Sequence, residues 1–508
     1  EFLYRDAELL SCLAMPFGLE YPAAELREKW EDILCNQFHD VIPGSSIRLV
    51  YEDTDRMYPE IFRVGEEAAG RALERIARNV DTRGEGRPVL VFNTLPWDRS
   101  AVVSVDVPGD APCAVVGPDG EEVPVQRSGE RLLFAASAPS AGYAVYHLVP
   151  RQPSGFRSPL KASRTVLENR WFRMRLDSKG AIVSLVHRPT GRELVRPGER
   201  ANLLRLYEDK PIDWPAWDID FFYEDKWEDV TQTDSLELVE EGPVRAVVEV
   251  RRSFSRSRLA QRIVIYADSP RIDFETWVDW HEKDRVLKAL FPVDVNASEA
   301  RYEIQFGNVT RPTHTNTSWD FARFEVCAHR WADISEEGFG MSLMNDCKYG
   351  HHTKGSEMRL TLLRAPKEPD PEADMGEHVF TYSIMPHAGD YVEAGTVREA
   401  YGLNVPMRVL PVEASEGPLP PVRSFLRVDS EHVILETVKK AEREETVILR
   451  CYECHNRRGT VTVTVDLPFS RVYECDLMED NLEEVPSTGS SFTFPIRPFE
   501  IKTFKLVR

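Results

Sequence analysis

The first eighty residues repeat their apolar positions at helical spacing. Leu3, Ala7, Leu10 and Leu13 form one stripe, and Tyr21-Pro22 opens a second helix in which Leu26, Trp30, Ile33, Leu34 and Phe38 recur at i, i+4, i+7, i+8 and i+12, a single face. Pro43-Gly44 is expected to stop that helix. Ser45 or Ser46 is then expected to cap a long third helix from Ser46 to Asn79, which Pro59 should interrupt or kink. The pattern predicts a three-helix bundle over residues 1–82, with QFHDVIPGSS (residues 37–46) exposed at one corner.

Past Thr82-Arg-Gly-Glu-Gly the period changes from helical to alternating. Val89, Val91, Val102, Val103, Val105 and Val107 lie in short β-rich runs separated by Pro-Trp, Pro-Gly-Asp and Pro-Asp-Gly turns, which predicts a small β-sandwich over 86–150. PSGFRSP (153–159) reads as a linker. LENRWFRMRLDSKGAIVSLVHRPTGRELV then alternates as a hairpin about Ser-Lys-Gly, and AVVEVRRSF, RIVIYAD and RIDFETWVDW continue the strand pattern. Helical crossovers between these strands are missing, which argues against a parallel α/β sheet. A large antiparallel assembly of two broad sheets is expected over 160–415. After the proline-rich GPLPPVRSF, HVILETVKKAEREETVILRCYE and the closing IKTFKL predict a terminal β-sandwich over 421–508. The expected fold class is multidomain and mainly β.

The net charge of −21 argues against nucleic acid or an anionic membrane as partner, since both call for basic surface. It suits a neutral substrate. Eight scattered cysteines are too few for a disulfide scaffold and read as reduced thiols of a cytoplasmic protein. No apolar run approaches the roughly 18 residues of a membrane span.

Five stretches carry candidate chemistry. His39 and Asp40 fall at a helix end, outside the apolar stripe, where an imidazole beside a carboxylate suits a divalent metal or a sugar hydroxyl. DWPAWDIDFFYEDKW interleaves Trp214 and Trp217 with Asp218 and Asp220, and aromatic rings with carboxylates suit a sugar's C–H face and hydroxyls. His314, His329, His351 and His352 with Asp320, Glu325, Asp333 and Asp346 offer donors for a second metal, although their spacing follows no tetrahedral zinc pattern. Asp374 and His378 sit where a loop enters a strand. Cys451-x-x-Cys454-His455 lies on a strand pattern that sends the two thiols to opposite faces, with no second pair, so these cysteines read as structural.

The wording WEDILCNQFHDVIPGSSIRLVYED resembles the active-site-closing segment of family 38 glycoside hydrolases, the α-mannosidases. The resemblance extends to FLYRDAELLSCLA, to VFNTLPW, to the stretch containing RPTHTNTSWDFARFEVCAHRW, and to Lys440-Ala441-Glu442 and Ile501-Lys502-Thr503 near the end. NQFHD-x-x-PGSSI is most similar to the cytosolic and bacterial branch. The resemblance implies a helical middle domain, a galactose mutarotase-like β-supersandwich and a C-terminal β-sandwich. By resemblance His39 is one of four ligands of a metal, zinc or alternatively cobalt, and Asp40 binds the substrate.

The function so implied is retaining, metal-dependent, exo-acting hydrolysis of terminal α-mannosyl residues. Retention needs a nucleophile and an acid/base carboxyl roughly 5 Å apart. In the family the nucleophile and the remaining ligands belong to an N-terminal α/β domain. This chain is therefore expected to be a fragment that lacks the nucleophile, is inactive alone, and joins that domain and further copies of itself when intact. Two alternatives are a non-catalytic carbohydrate-binding β-sandwich assembly and a self-contained glycosidase built on the tryptophan-aspartate loop.

Overall fold

The computed structural model describes residues 1–109 and 111–508. Three helices open the chain: α1 (Phe2–Ala14), α2 (Ala23–Cys35) and α3 (Arg48–Ala77). Strands follow almost to the end, and among the described residues the paired strands run antiparallel, with one isolated parallel bridge between Val80 and Leu419. The chain is mainly β, and no helix of the described residues is long and apolar enough to cross a membrane.

Two helix expectations are corrected. α2 ends at Cys35, well before Pro43-Gly44, where the Asn36 side chain turns back and donates to the Asp32 carbonyl at 2.9 Å. Leu26 and Ile33 are buried as expected, whereas Leu34 is exposed and Phe38 lies beyond the helix, also exposed. α3 runs unbroken through Pro59. Proline there removes a single N–H from a thirty-residue ladder, and the apolar face Ile61–Ile76 holds the helix regardless.

The described residues group into two compact units. The first holds Glu1–Gln37, Asp53–Phe156 and Val405–Arg508. Its strands make four sheets, including a five-stranded one ordered 433–440, 447–453, 501–507, 471–475, 481–485. Helices and sheets share one core: Tyr4, Leu10 and Leu13 of α1 belong to the same buried cluster as Phe92, Tyr143, Leu435 and Phe504. Strand Arg408–Pro411 pairs with Arg87–Asn93 in this unit.

The second unit holds Phe38–Glu52 and Arg157–Asn404. Its strands form three sheets of five, six and nine strands, rather than two. Alternation does the sorting: in Phe172–Leu176 the side chains of Phe172, Met174 and Leu176 are buried while Arg173 and Arg175 are exposed. The Ser178-Lys179-Gly180 turn is as expected, with Gly180 at φ +80°. Phe274 stacks on Tyr382 at 4.9 Å. The Tyr382 hydroxyl closes a buried ring of hydrogen bonds, accepting from Gln261 at 2.8 Å and donating to Asn202 at 2.6 Å, while Asn202 donates to Gln261 at 2.8 Å.

One buried ion pair makes this unit sensitive to pH. Burial of His387 opposes its charged form, but the Asp333 carboxylate, 2.8 Å from its Nε2, outweighs burial and raises the imidazole above its usual 6.5. A raised folded-state value means this pair stabilises the fold fully below about pH 6.5, and the contribution is lost as pH rises through the folded-state value. Hydrogen exchange in strands Trp331–Glu336 and Gly376–Ala388, corrected for intrinsic rates, should quicken as pH rises from about 6 to about 9. Asp333→Asn should flatten that dependence. Protection unchanged over the range would show that His387 does not change charge within it.

Candidate functional site

Between α2 and α3 the backbone is a succession of turns, closed by Val41 N–H to Phe38 (2.8 Å) and Gly44 N–H to Val41 (3.2 Å), with Gly44 at φ +81° where a side chain would be strained. Asp40 is the hub of this segment. Its carbonyl accepts from the Ser46 hydroxyl at 2.5 Å, and its Oδ1 accepts from the Ser45 hydroxyl at 3.2 Å. The two serines thus bind back to Asp40 instead of capping α3 as expected. Ser46 N–H donates to the Tyr51 hydroxyl at 2.8 Å, and Arg48 pairs with Glu372.

Trp217 joins this hub from far along the chain. Its Nε1–H donates to Asp40 Oδ1 at 3.1 Å. With two donors on Oδ1, the carboxylate's second oxygen is left outward, 3.3 Å from His39 Nε2. The His39 side chain is 89 % exposed and that of Asp40 is 48 % exposed. The Trp217 bond, against slight burial and aided by Ser45 and His39, holds the Asp40 carboxyl below the usual carboxylate range. Beside it, Trp214 stands edge-on to Trp217 at 6.2 Å, with φ +55°, and is 68 % exposed.

The structure therefore brings together two stretches that the sequence kept apart, His39-Asp40 and Trp214–Trp217. Asp218 and Asp220 take structural parts in the same loop. The Asp220 carboxylate accepts from Ile212 N–H at 2.8 Å, and the Asp218 carbonyl accepts from Arg364. Asp374, at φ +57°, lies near Tyr51, and His378 Nε2 meets the Asp374 carbonyl at 2.7 Å.

The second histidine group does not assemble. His351 and His352 are buried on strand Gly350–Lys354 and burial pushes both imidazoles down to about 3, so they stay neutral. Glu325 pairs with Lys288, Asp333 with His387, and Asp320 caps the short helix Ser318–Phe321. Asp346 accepts from Thr381 N–H at 2.8 Å, His314 stands 3.7 Å from Asp320, and His329 packs on Tyr349. Cys451 and Cys454 are buried, and no disulfide joins any of the eight cysteines. Among the described residues no three His, Cys, Asp or Glu side chains gather as a metal set. An imidazole nitrogen and a carboxylate oxygen at residues 39 and 40 are suitable donor types for zinc or cobalt, but two donors fall short of the three protein ligands of a catalytic zinc site. The residues present fit a share of such a site, not a whole one.

Residues 1–76 match the alpha mannosidase middle domain, 167–372 the glycosyl hydrolases family 38 C-terminal domain, and 432–504 the glycosyl hydrolases family 38 C-terminal beta sandwich domain. The chain carries the middle and C-terminal domains of glycoside hydrolase family 38. Relatives include Alpha-mannosidase 2C1 of Mus musculus, 38 % identical over 526 residues that cover 100 % of this chain and 48 % of the relative. Alpha-mannosidase G of Dictyostelium discoideum is 32 % identical over 549 residues, covering 98 % and 50 %. The chain spans about half the length of the curated relatives it matches. The fold is that of the crystal structure of an alpha-mannosidase from Enterococcus faecalis V583, with a TM-score of 0.85 at 18 % identity, covering 99 % of this chain and 66 % of that one.

Trp217→Phe keeps the ring and removes the donor to Asp40. The Asp40 carboxyl should then titrate higher, closer to its usual 3.8, as followed by carbon-detected NMR. An unmoved titration would assign the low value to Ser45 and His39 alone.

Proposed function

We propose that this chain is the middle and C-terminal portion of a retaining α-mannosidase, and that its His39-Asp40 corner is its share of the active site. The observation that carries this reading is the polarity of the corner. Asp40 Oδ1 is used up on Trp217 and Ser45, while Oδ2 and the His39 imidazole face solvent as a ready acceptor and ligand. In this reading Asp40 grips hydroxyls of a terminal α-mannosyl residue, and His39 supplies one ligand to a divalent metal, zinc or cobalt, whose other ligands come from the part of the protein outside this chain. Such a metal would bind and polarise sugar oxygens as a Lewis acid. The nucleophile and the acid/base carboxyl also lie outside, so His39 and Asp40 here hold and orient substrate and do not attack it.

Exposed apolar side chains around the corner support a docking partner. Phe38, Ile42, Ile47, Leu49, Trp214 and Trp217 are all exposed, on two segments that the Trp217–Asp40 bond ties together. The partner proposed is the catalytic domain of the same protein. A cytoplasmic location belongs to the same reading and is supported by eight cysteines without a disulfide.

The 508-residue chain alone should show no turnover of aryl α-mannosides, since nucleophile and general acid act as a unit. Turnover at ordinary glycosidase rates would place the catalytic carboxylates within this chain. In the full-length protein His39→Ala should lower metal content and activity together. Asp40→Asn should keep the metal and lower kcat/KM by about a hundredfold, the loss of one charge-assisted hydroxyl bond strengthened in the transition state. Full metal and full activity in His39→Ala would reduce His39 to a turn residue.

A further inference from the structure

The first compact unit contains a cleft of about 380 Å³ between α1, the first two turns of α2 and strands Val433–Lys440 and Val447–Glu453. Its walls are built unlike a packing defect. Trp30 and Tyr21 supply aromatic surface with Leu26, and Glu8, Lys439 and Arg450 supply polar groups. Trp30 is fixed edge-on to Tyr4 at 5.6 Å, and its Nε1–H donates to Glu8 Oε1 at 3.2 Å. Tyr21 hydrogen-bonds the Lys440 backbone. Lys439 is neutralised by Glu442 and by Glu479, the latter at 3.0 Å.

Arg450 has no carboxylate in direct contact, although Glu479 and Glu8 act on it from farther off against the burial that lowers its pKa. Its Nε–H donates to the Thr503 hydroxyl at 3.1 Å, and its guanidinium makes no ion pair among the described residues. A partly buried guanidinium with open donors, in a protein of net charge −21, is a place prepared for an anion. Two aromatic rings beside it suit the C–H face of a sugar, and the volume falls at the small end of ligand pockets, near ~300 Å³.

We propose that this cleft binds a monosaccharide bearing one anionic group, a phosphate or a carboxylate, with the anion on Arg450 and the ring against Trp30 and Tyr21. Glu8 sets the pH range. Burial, opposed by Lys439, Trp30 and Arg450 and reinforced by Glu442, pushes its carboxyl up to about 7. The groups around it are Cys12 from its own helix, Tyr21, Arg27 and Trp30, Lys439, Lys440 and Arg450 from the two strands, and Glu442 from the turn between them. Below about pH 7 Glu8 is neutral and can donate to a sugar hydroxyl; above it, its charge repels the anion.

Calorimetric titration of the 508-residue chain with mannose 6-phosphate, glucuronate, mannose and inorganic phosphate tests the proposal. At least one charged sugar should bind ten times or more tighter than mannose and than phosphate alone, and which one binds identifies the anion. Arg450→Met should weaken that binding tenfold or more, with Arg450→Lys intermediate. Glucuronate, if it is the ligand, should bind more weakly at about pH 8 than at about pH 6, because its own carboxylate is ionised at both. Where Arg450→Met does not fold, NMR contacts between ligand ring protons and the labelled Trp30 indole of the unmodified chain decide. No binding by either charged sugar, equal binding of mannose or of phosphate alone, an indifferent Arg450→Met, or contacts to a different tryptophan would each overturn it.

Discussion

The hydrogen bond from the Trp217 indole to Asp40 is the constraint on which the candidate site rests. Residues 38–47 have neither helix nor strand to hold them. A chain of turns pays the full entropy of ordering each residue and has few internal bonds to offset it. Asp40 supplies those bonds. Its carbonyl and Oδ1 gather Ser45, Ser46 and Trp217, and Tyr51 and Arg48 secure the far end against Ser46 and Glu372. The bonds to Trp217 and Glu372 are why the segment, with the first residues of α3 (Arg48–Glu52), groups with the large β unit. The bonds to Oδ1 orient the carboxylate, because saturating Oδ1 leaves only Oδ2 to face outward.

Trp217 can hold Asp40 only if its own loop is held, and a buried charge network does that. Lys288, fully buried, pairs with Glu325 and lies 4.7 Å from the Tyr223 ring, whose hydroxyl donates to Glu325 at 2.9 Å. Arg359 pairs with Glu224, next in the chain to Tyr223. Arg364 bonds Asp209 at 2.6 Å and the Asp218 carbonyl. Each contact pins the 209–225 segment to the six-stranded sheet on either side of Trp217. Burying a lysine costs desolvation, which drives its ammonium well below its usual range, and such pairs add little net stability. What they contribute is placement: removing either partner strands a charge, so one arrangement of the loop is strongly preferred.

The β architecture was legible because burial on one face imposes a two-residue period, as in Phe172–Leu176, and the turns carry glycine where φ is positive, as at Gly180. The helices were legible for the same reason at a period of 3.6. The end of α2 was misread because Leu34 and Phe38 continue the stripe by chance, while Asn36, the residue that closes the helix, is polar and draws no attention. Lys288 was invisible: a lysine between Leu287 and Ala289 reads as a solvent-facing position, yet a carboxylate from elsewhere in the chain keeps it inside. Resemblance pointed to His39 and Asp40, but nothing local could link Asp40 to Trp217 across 177 residues. The aromatic-carboxylate loop was noticed for its composition, and only folding reveals that its tryptophan serves the other candidate.

A carboxylate and an imidazole standing in water are poor instruments for catalysis. At high dielectric their interactions with a sugar or a metal are screened, and the same groups gain strength several-fold when water is excluded. On the function proposed above, the corner must therefore be dried as well as completed. The chain carries the means for both in one place. Phe38, Ile42, Ile47 and Leu49 flank His39 and Asp40 along the backbone, and Trp214 stands beside Trp217. Covering them releases about 25 cal/mol for each Å² of apolar surface removed from water. On that proposal, the contact that would bring the remaining ligands and the nucleophile to His39 would be favoured by burial of its apolar surroundings, and that burial would lower the dielectric around Asp40 Oδ2. Exposure of the corner in this chain and its proposed activity in the whole protein are two consequences of one arrangement, in which assembly and desolvation are a single step.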